Sequence, residues 1–102
     1  MVWGIMSPMK ATAIQRLKHL HAGGVVEINI WRVAEPVAPC RHSYKYRLVY
    51  VVGSVRLFGF DNERGKGDHR HEGDTEFPYV FIDVETLLAD FWRGVAEMGV
   101  RK

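Results

Sequence analysis

The stretch YKYRLVYVVGSVRLFGF, residues 44–60, decides the fold. It consists of two runs of residues that favour β-strands, separated by a short turn. In the first run tyrosine and leucine alternate with Lys45 and Arg47, which is the period of a strand with one buried face. Gly53-Ser54 then supplies a two-residue turn of the hairpin type. The second run returns beside the first and brings Arg56 to the same region of the sheet. The stretch therefore predicts an antiparallel hairpin with tyrosines on one face and cations on the other.

Strand signals continue on both sides of this hairpin. Residues 25–33 are rich in β-branched residues that alternate with polar ones, whereas residues 11–21 fit either a helix or a strand. The glycine-containing break at 22–24 favours a hairpin between these two segments. Prolines mark residues 34–43 as a loop, because proline cannot donate to a strand ladder. Residues 77–82 predict a further short strand, at an edge because it contains a proline.

The last part of the sequence has a helical pattern. Asp83 is a residue type that caps helices, and the apolar residues after it recur at helical spacing: Val84, Leu87, Leu88, Phe91 and Val95. The sequence therefore predicts an α+β fold, a mainly antiparallel sheet of four or five strands packed against a C-terminal helix at about residues 84–98. Residues 10–102 are predicted to form a single domain, and residues 1–9 an irregular N-terminal extension.

Composition limits the class of protein. The chain has 102 residues, of which 47% are hydrophobic and 25% charged, the ordinary mix of one globular domain. Its single cysteine, Cys40, excludes an internal disulfide and fits a reducing compartment. No apolar stretch approaches the ~20 residues that a membrane helix needs, and the first residues lack the basic and apolar parts of a signal peptide. These features predict a cytoplasmic protein.

Residues 61–76, DNERGKGDHRHEGDTE, contain no apolar residue, and we interpret them as a polar loop outside the core. His69 and His71 lie two residues apart and would project to the same side of an extended chain, roughly 6.5 Å apart. Histidine can act as base or acid because its ordinary pKa, ~6.5, lies near the working pH. The pair could therefore take the 2′-hydroxyl proton of RNA and protonate the leaving 5′-oxygen, while Lys66, Arg70 or Arg41 stabilises the charged phosphate.

Three other interpretations of the polar segment and the neighbouring sheet stay open. The loop could be a solvated one whose acids and histidines only pair with each other. The His69 and His71 pair, next to Asp68 and Asp61, offers ligands for zinc or manganese, but Arg70 would bring positive charge toward a cation. An aromatic and basic sheet face could bind single-stranded nucleic acid without cleaving it. The remaining histidines and two tryptophans are interpreted as surface and packing residues respectively: His19, His21, His42, Trp31 and Trp92.

Several motifs together resemble the TumE-like toxins of bacterial type II toxin-antitoxin systems. The resemblance runs from about Lys10 to Val95. It rests on KAT at 10–12, VE at 26–27, IWR at 30–32, RHSYKYRLVY at 41–50, FDNE at 60–63, GKGDHRH at 65–71 and LLADFW at 87–92. It implies a small cytoplasmic protein with a cognate antitoxin as partner and a ribonuclease-like activity that inhibits growth.

The leading hypothesis is therefore a toxin that cleaves RNA by histidine acid-base chemistry, without a metal or other cofactor. The predicted catalytic residues all fall within the polar motif: Lys66, Asp68, His69, Arg70 and His71. The predicted RNA-binding residues are cationic: Arg41, Lys45, Arg47 and Arg56. The alternatives are a non-catalytic module that binds nucleic acid or the antitoxin, and a metal-dependent nucleotide transferase. An unpaired strand edge would also suit a homodimer.

Overall fold

Six strands follow one another along the chain, each antiparallel to the next, in one sheet of order β1-β2-β3-β4-β5-β6. The computed structural model describes the backbone of residues 11–101 and the side chains of residues 11–98. The strands are β1 (Ala11–His21), β2 (Gly24–Val33), β3 (Tyr44–Val52), β4 (Val55–Glu63), β5 (Gly67–Glu72) and β6 (Thr75–Pro78), and the helix is α1 (Val84–Arg101). The predicted α+β class is confirmed, with six strands in place of four or five. Residues 1–9 lie outside the described part.

The two hairpins expected in the first half of the chain are both present. Residues 11–21 form a strand that pairs with β2 along its length, with a register shift near Ile14. Ala22 and Gly23 make the turn with positive φ angles of 48° and 80°, the backbone that two-residue hairpin turns require. Gly53-Ser54 does the same between β3 and β4, with φ of 58° and 68°.

The hydrophobic core lies on one face of the sheet. Alternate residues of β2, β3 and β4 point into it, as the strand period requires, and the helix covers them. The core side chains are Val26, Ile28, Ile30, Tyr46, Leu48, Tyr50, Phe58, Phe60, Leu87, Phe91 and Val95, each at most 3% exposed. The predicted orientation of the β3 tyrosines toward the core is confirmed for Tyr46 and Tyr50.

Helix α1 begins where the sequence predicts. The Asp83 carboxylate accepts the Thr86 N–H at 2.7 Å, so it caps the first turn. Hydrogen bonding to Thr86, first to its side chain and then to its N–H, lowers the pKa of Asp83. The helix approaches the sheet closely at Gly94, where a Cβ atom would lie only 2.1 Å from the Phe58 ring. Tyr79 donates a hydrogen bond of 2.7 Å to Asp90, which ties the connection before α1 to the helix.

The interpretation of residues 61–76 as a polar loop is wrong. Strand β4 continues to Glu63, and residues 67–72 form the additional strand β5 between β4 and β6. Asn62 and His71 are buried. A segment without apolar residues can enter a sheet because its backbone groups pair with both neighbours and its polar side chains pair with one another. The strand expected at 77–82 ends at Pro78, and residues 79–83 cross to the helix.

Candidate active site on the open face of the sheet

The face of the sheet opposite the helix is the candidate site. No helix or strand within residues 11–101 packs over this open face, because α1 contacts the sheet on the core side. Its side chains come from the odd-numbered positions of β2, β3 and β5, which the strand period turns away from the core. They include Lys45 and Arg47, which were predicted to bind RNA. Arg56 lies on the same face because it pairs with Val51.

Register places charged and catalytic residue types in adjacent rows across the open face. One row runs from Asn29 through Arg47 and Asp61 to His69. Residues directly opposite in antiparallel strands share a face, with Cβ atoms about 5 Å apart. In the neighbouring row, His71 lies between Gly59 on β4 and Glu76 on β6. Both predicted histidines therefore belong to the same face as the three cations.

The two histidines lie side by side. Their ring centroids are 6.3 Å apart and their planes differ by 32°, close to the spacing expected for alternate residues of a strand. The His69 side chain is 15% exposed, and its Nε2 atom lies 3.9 Å from Glu76 Oε1 on β6. The His71 side chain is only 7% exposed, so it forms part of the floor of the face.

His71 is held by a partner on each ring nitrogen. Its Nδ1 atom lies 3.2 Å from Nη2 of Arg56, and its Nε2 atom lies 3.2 Å from Oδ1 of Asp61. A guanidinium can only donate, so Nδ1 accepts and the Nε2–H donates to Asp61. The two contacts fix the tautomer and the orientation of the ring, as in an Asp–His pair that transfers protons.

Lys66 lies at the end of this face. Its ammonium group is 3.3 Å from Glu76 Oε1 and 3.8 Å from Glu63 Oε1, so it links the β4–β5 turn to β6. Glu76 thus contacts both Lys66 and His69. Glu76 and Lys66 therefore form an exposed ion pair next to His69.

The other two residues predicted to be catalytic lie on the core side. The Asp68 side chain lies on the core side of the sheet, where it accepts hydrogen bonds from Tyr46 at 2.5 Å and from His42 at 2.9 Å. Arg70 forms an ion pair with Glu72, and its guanidinium lies 4.3 Å from the centroid of the Phe77 ring. The four predicted catalytic residues on β5 are therefore divided between the two faces by the alternation of the strand, and Lys66 lies in the turn before it.

Asp68 is the centre of a second cluster, at the mouth of a groove between the 34–43 loop and residues 79–82. Cys40 Sγ lies 3.4 Å from Asp68 Oδ2, and Phe81 stacks on His42 with centroids 3.9 Å apart. Burial, and then the hydrogen bond to Asp68, raise the pKa of Tyr46 well above its usual range. Arg41, predicted to bind RNA, is exposed in this groove and not on the open face.

Cys40, His42 and Asp68 could hold a metal, since one ligand atom of each lies within 4.8 Å of the others. A thiolate, an imidazole and a carboxylate form a zinc-type set. In this structure, however, His42 and Asp68 are hydrogen-bonded to each other and not arranged around a metal. The Tyr44 N–H donates to His42 Nδ1 at 3.2 Å, which leaves the proton on Nε2 facing Asp68, so a metal at Nε2 would have to displace it. Burial also raises the pKa of Cys40.

Sequence reasoning missed three features, two beside the Asp68 cluster and one on the open face. His42 was interpreted as a surface residue, but its side chain is only 16% exposed. Asn62 is fully buried and replaces backbone pairing at the end of β3, accepting from the Tyr46 N–H at 2.9 Å and donating to the Tyr44 carbonyl at 2.7 Å. Trp31 lies on the open face opposite Lys45. The alternation of β2 and β3 was the only sequence signal that could have placed Trp31 on this face.

Fold and site together define a small α+β domain whose open sheet face carries paired histidines among arginine and lysine side chains. The family model described as Toxin TumE matches residues 9–98. The chain therefore belongs to the TumE toxin family. No curated protein and no solved structure is significantly similar to it. Within the described residues, no helix is both long and apolar enough to span a membrane.

Proposed function

We propose that this toxin cleaves RNA on the open face of its sheet, with His69 and His71 as the proton-transferring residues. The observation that carries the proposal is the position of the two histidines, 6.3 Å apart between ring centroids, on the face that also carries Lys45, Arg47 and Arg56. Two histidines and nearby cations are the minimum set for cleavage by the adjacent 2′-hydroxyl.

His71 is the base in this reaction. A phosphate that draws the Arg56 guanidinium toward itself frees Nδ1, which then accepts the proton of the 2′-hydroxyl group. Asp61 stabilises the imidazolium that forms, because its carboxylate already accepts the Nε2–H. The 2′-oxygen attacks phosphorus and a 2′,3′-cyclic phosphate results.

His69 is the acid. Its protonated ring gives a proton to the 5′-oxygen as the bond from phosphorus to that oxygen breaks. The Glu76 carboxylate lies beside this ring, 3.9 Å from His69 Nε2. Arg56, Arg47 and Lys45 neutralise the charge that develops on the phosphate. Asp68 and Arg70 take no part in the proton transfers, because they lie on the core side.

The test is cleavage of RNA by the purified protein in the presence of a chelator, together with growth of a bacterial host that expresses it. We expect His69→Ala and His71→Ala each to slow cleavage by about 10²–10⁴-fold and to restore growth. His19→Ala is the matched control, because His19 is exposed on the core side of β1 near Trp92, and it should change neither. Growth arrest with intact RNA would refute the proposal.

A second candidate, metal-dependent nucleotide transfer, is favoured by the Cys40, His42 and Asp68 cluster. It predicts activity that the chelator abolishes and that Cys40→Ser removes, with His69→Ala unaffected. A non-catalytic module would show a third pattern: both histidine variants stay toxic, while charge reversal at Lys45, Arg47 and Arg56 abolishes toxicity.

Family membership also supports an antitoxin as partner. The described sheet has two edges, β1 and β6, and an edge strand offers unpaired backbone groups to another chain. Of the two, β1 is the longer at 11 residues. An antitoxin segment or a second copy of this chain, as in a homodimer, could pair there.

A further inference from the structure

A shallow cavity of about 310 Å³ opens on the same face, over β2 and β3. We propose that it binds one unpaired base of single-stranded RNA, and that it prefers a base with an exocyclic amino group. This proposal rests on the proposed function: the cavity would hold one base of the RNA strand that the two histidines cleave. Three kinds of side chain in the cavity support it.

The first is a stacking surface. Trp31 is half-buried on the open face, and the Arg16 guanidinium lies 5.2 Å from the centroid of its ring. Unpaired bases stack on aromatic rings and on guanidinium planes, which makes this pair a platform for a base. Trp31 has no packing role in the core, whose aromatic members come from the opposite face.

The second is a pair of groups that can read the edge of a base. Arg16 donates to Asn29 at 3.5 Å, and Asn29 donates to Glu27 at 3.4 Å. Both bonds are long for hydrogen bonds between nitrogen and oxygen, so they can be exchanged for bonds to a ligand. The Glu27 carboxylate can only accept, and it therefore suits the amino groups of adenine, cytosine and guanine. Uracil has no amino group, and its single N3–H lies between two carbonyl oxygens, which would face the carboxylate acceptor to acceptor.

The third is charge. Lys45 and Arg47 line the cavity together with Arg16, against the single carboxylate of Glu27. Lys45 and Arg47 lie on β3, between Trp31 on β2 and the histidines on β5, where the RNA backbone would pass. His69 is three strands and one two-residue step from Trp31, a distance of about 16 Å from standard strand spacings. The bound base is thus a few nucleotides from the scissile phosphate.

A similar pair on the other face provides a matched control. Arg32 lies 5.7 Å from the centroid of the Tyr44 ring, so it resembles Arg16 and Trp31 in chemistry and geometry. Tyr44, however, is built into a cluster with Phe81 and His42. Its ring is therefore already part of internal packing, and we expect no base to bind there.

The test is the affinity of full-length His69→Ala protein for short labelled oligomers of adenosine, cytidine and uridine, measured by fluorescence anisotropy. We expect tighter binding of the adenosine and cytidine oligomers than of the uridine oligomer. Adding Trp31→Ala should weaken binding roughly 5- to 100-fold, Trp31→Phe should retain most of it, and Arg32→Ala should have no effect. Glu27→Gln should reduce the preference against uridine.

Unchanged affinity after Trp31→Ala, with the fold verified by circular dichroism, would overturn the proposal, as would equal affinity for all three oligomers. Cleavage assays with the protein that retains His69 distinguish failure of the base site from failure of the proposed ribonuclease activity. Binding that depends on Trp31 but is not followed by cleavage would refute the ribonuclease and leave the base site standing. Cleavage that is insensitive to Trp31→Ala would refute the base site alone.

Discussion

Asp61 accepts the Nε2–H of His71 diagonally across β4 and β5, with 3.2 Å between the two atoms. The contact joins residues ten positions apart that sequence reasoning placed in one polar loop. It determines which nitrogen of His71 is left to accept a proton. Because a carboxylate beside the ring stabilises an imidazolium, the pair is suited to a base that becomes charged during the reaction.

Asp61→Asn should therefore slow RNA cleavage while leaving substrate binding almost unchanged. The amide cannot stabilise the charged ring and can select the other tautomer, so we expect kcat to fall by about 10²–10⁴-fold with little change in KM. Asp74→Asn, in the exposed β5–β6 turn, is the control and should retain activity. Unaltered kcat in Asp61→Asn would show that His71 is not the base.

Asn62 should be essential for stability. Asn62→Asp replaces the donor that faces the Tyr44 carbonyl with an acceptor, and it brings a charge into a fully buried position. We expect a loss of about 1–3 kcal/mol in the free energy of unfolding for each group left without a partner, measured by urea denaturation. Asn29→Ser is the control: the Asn29 side chain makes only long hydrogen bonds, so this change should alter stability by less than about 0.5 kcal/mol. Equal losses in the two variants would contradict the assigned role.

Gly94 should not tolerate alanine, although alanine is the better helix former. The added methyl group would overlap the Phe58 ring, and overpacking of this kind costs about 1–3 kcal/mol, more than the ~1 kcal/mol gained in helix propensity. Gly94→Ala should therefore lower the free energy of unfolding. Combining it with Phe58→Leu should recover part of the loss in a double-mutant cycle, and strictly additive effects would argue against the close contact.

Cys40 should react slowly with iodoacetamide at neutral pH. Burial raises the pKa of its thiol, the Asn62 amide opposes this, and the Asp68 carboxylate raises it further. A raised pKa means that the reactive thiolate forms only at higher pH than in the unfolded chain. The alkylation rate of the folded protein should therefore rise at a higher pH than the rate measured in urea.

Asp68→Asn should shift the Cys40 alkylation profile toward lower pH, because it removes a negative charge beside the thiol. Asp74→Asn is again the control and should leave the profile in place. A folded protein with the same profile as the urea-unfolded chain would contradict the raised pKa. Since Cys40 is the only cysteine, the label reports on this site alone.

The strands and the helix could be predicted where apolar residues show a period. Strand β3 alternates clearly, and α1 repeats its apolar residues at helical spacing after Asp83. Strand β5 could not be found in this way, because GDHRHE contains no apolar residue. It is held by backbone pairing with β4 and β6 and by side-chain pairs such as His71 with Asp61, and these depend on partners that are distant in the sequence.

The sequence by itself determined the α+β class, the hairpin at 44–60 and the spacing of His69 and His71. It also determined that Lys45 and Arg47 lie on the other face of β3 from the tyrosines. Each of these follows from local periodicity or from a local turn. Only the tertiary structure decided that Asp68 and Arg70 face the core side, that Arg56 and Asp61 hold His71, and that Trp31 shares the face of the histidines. Those relationships depend on strand register, which backbone pairing and burial set across the whole sheet.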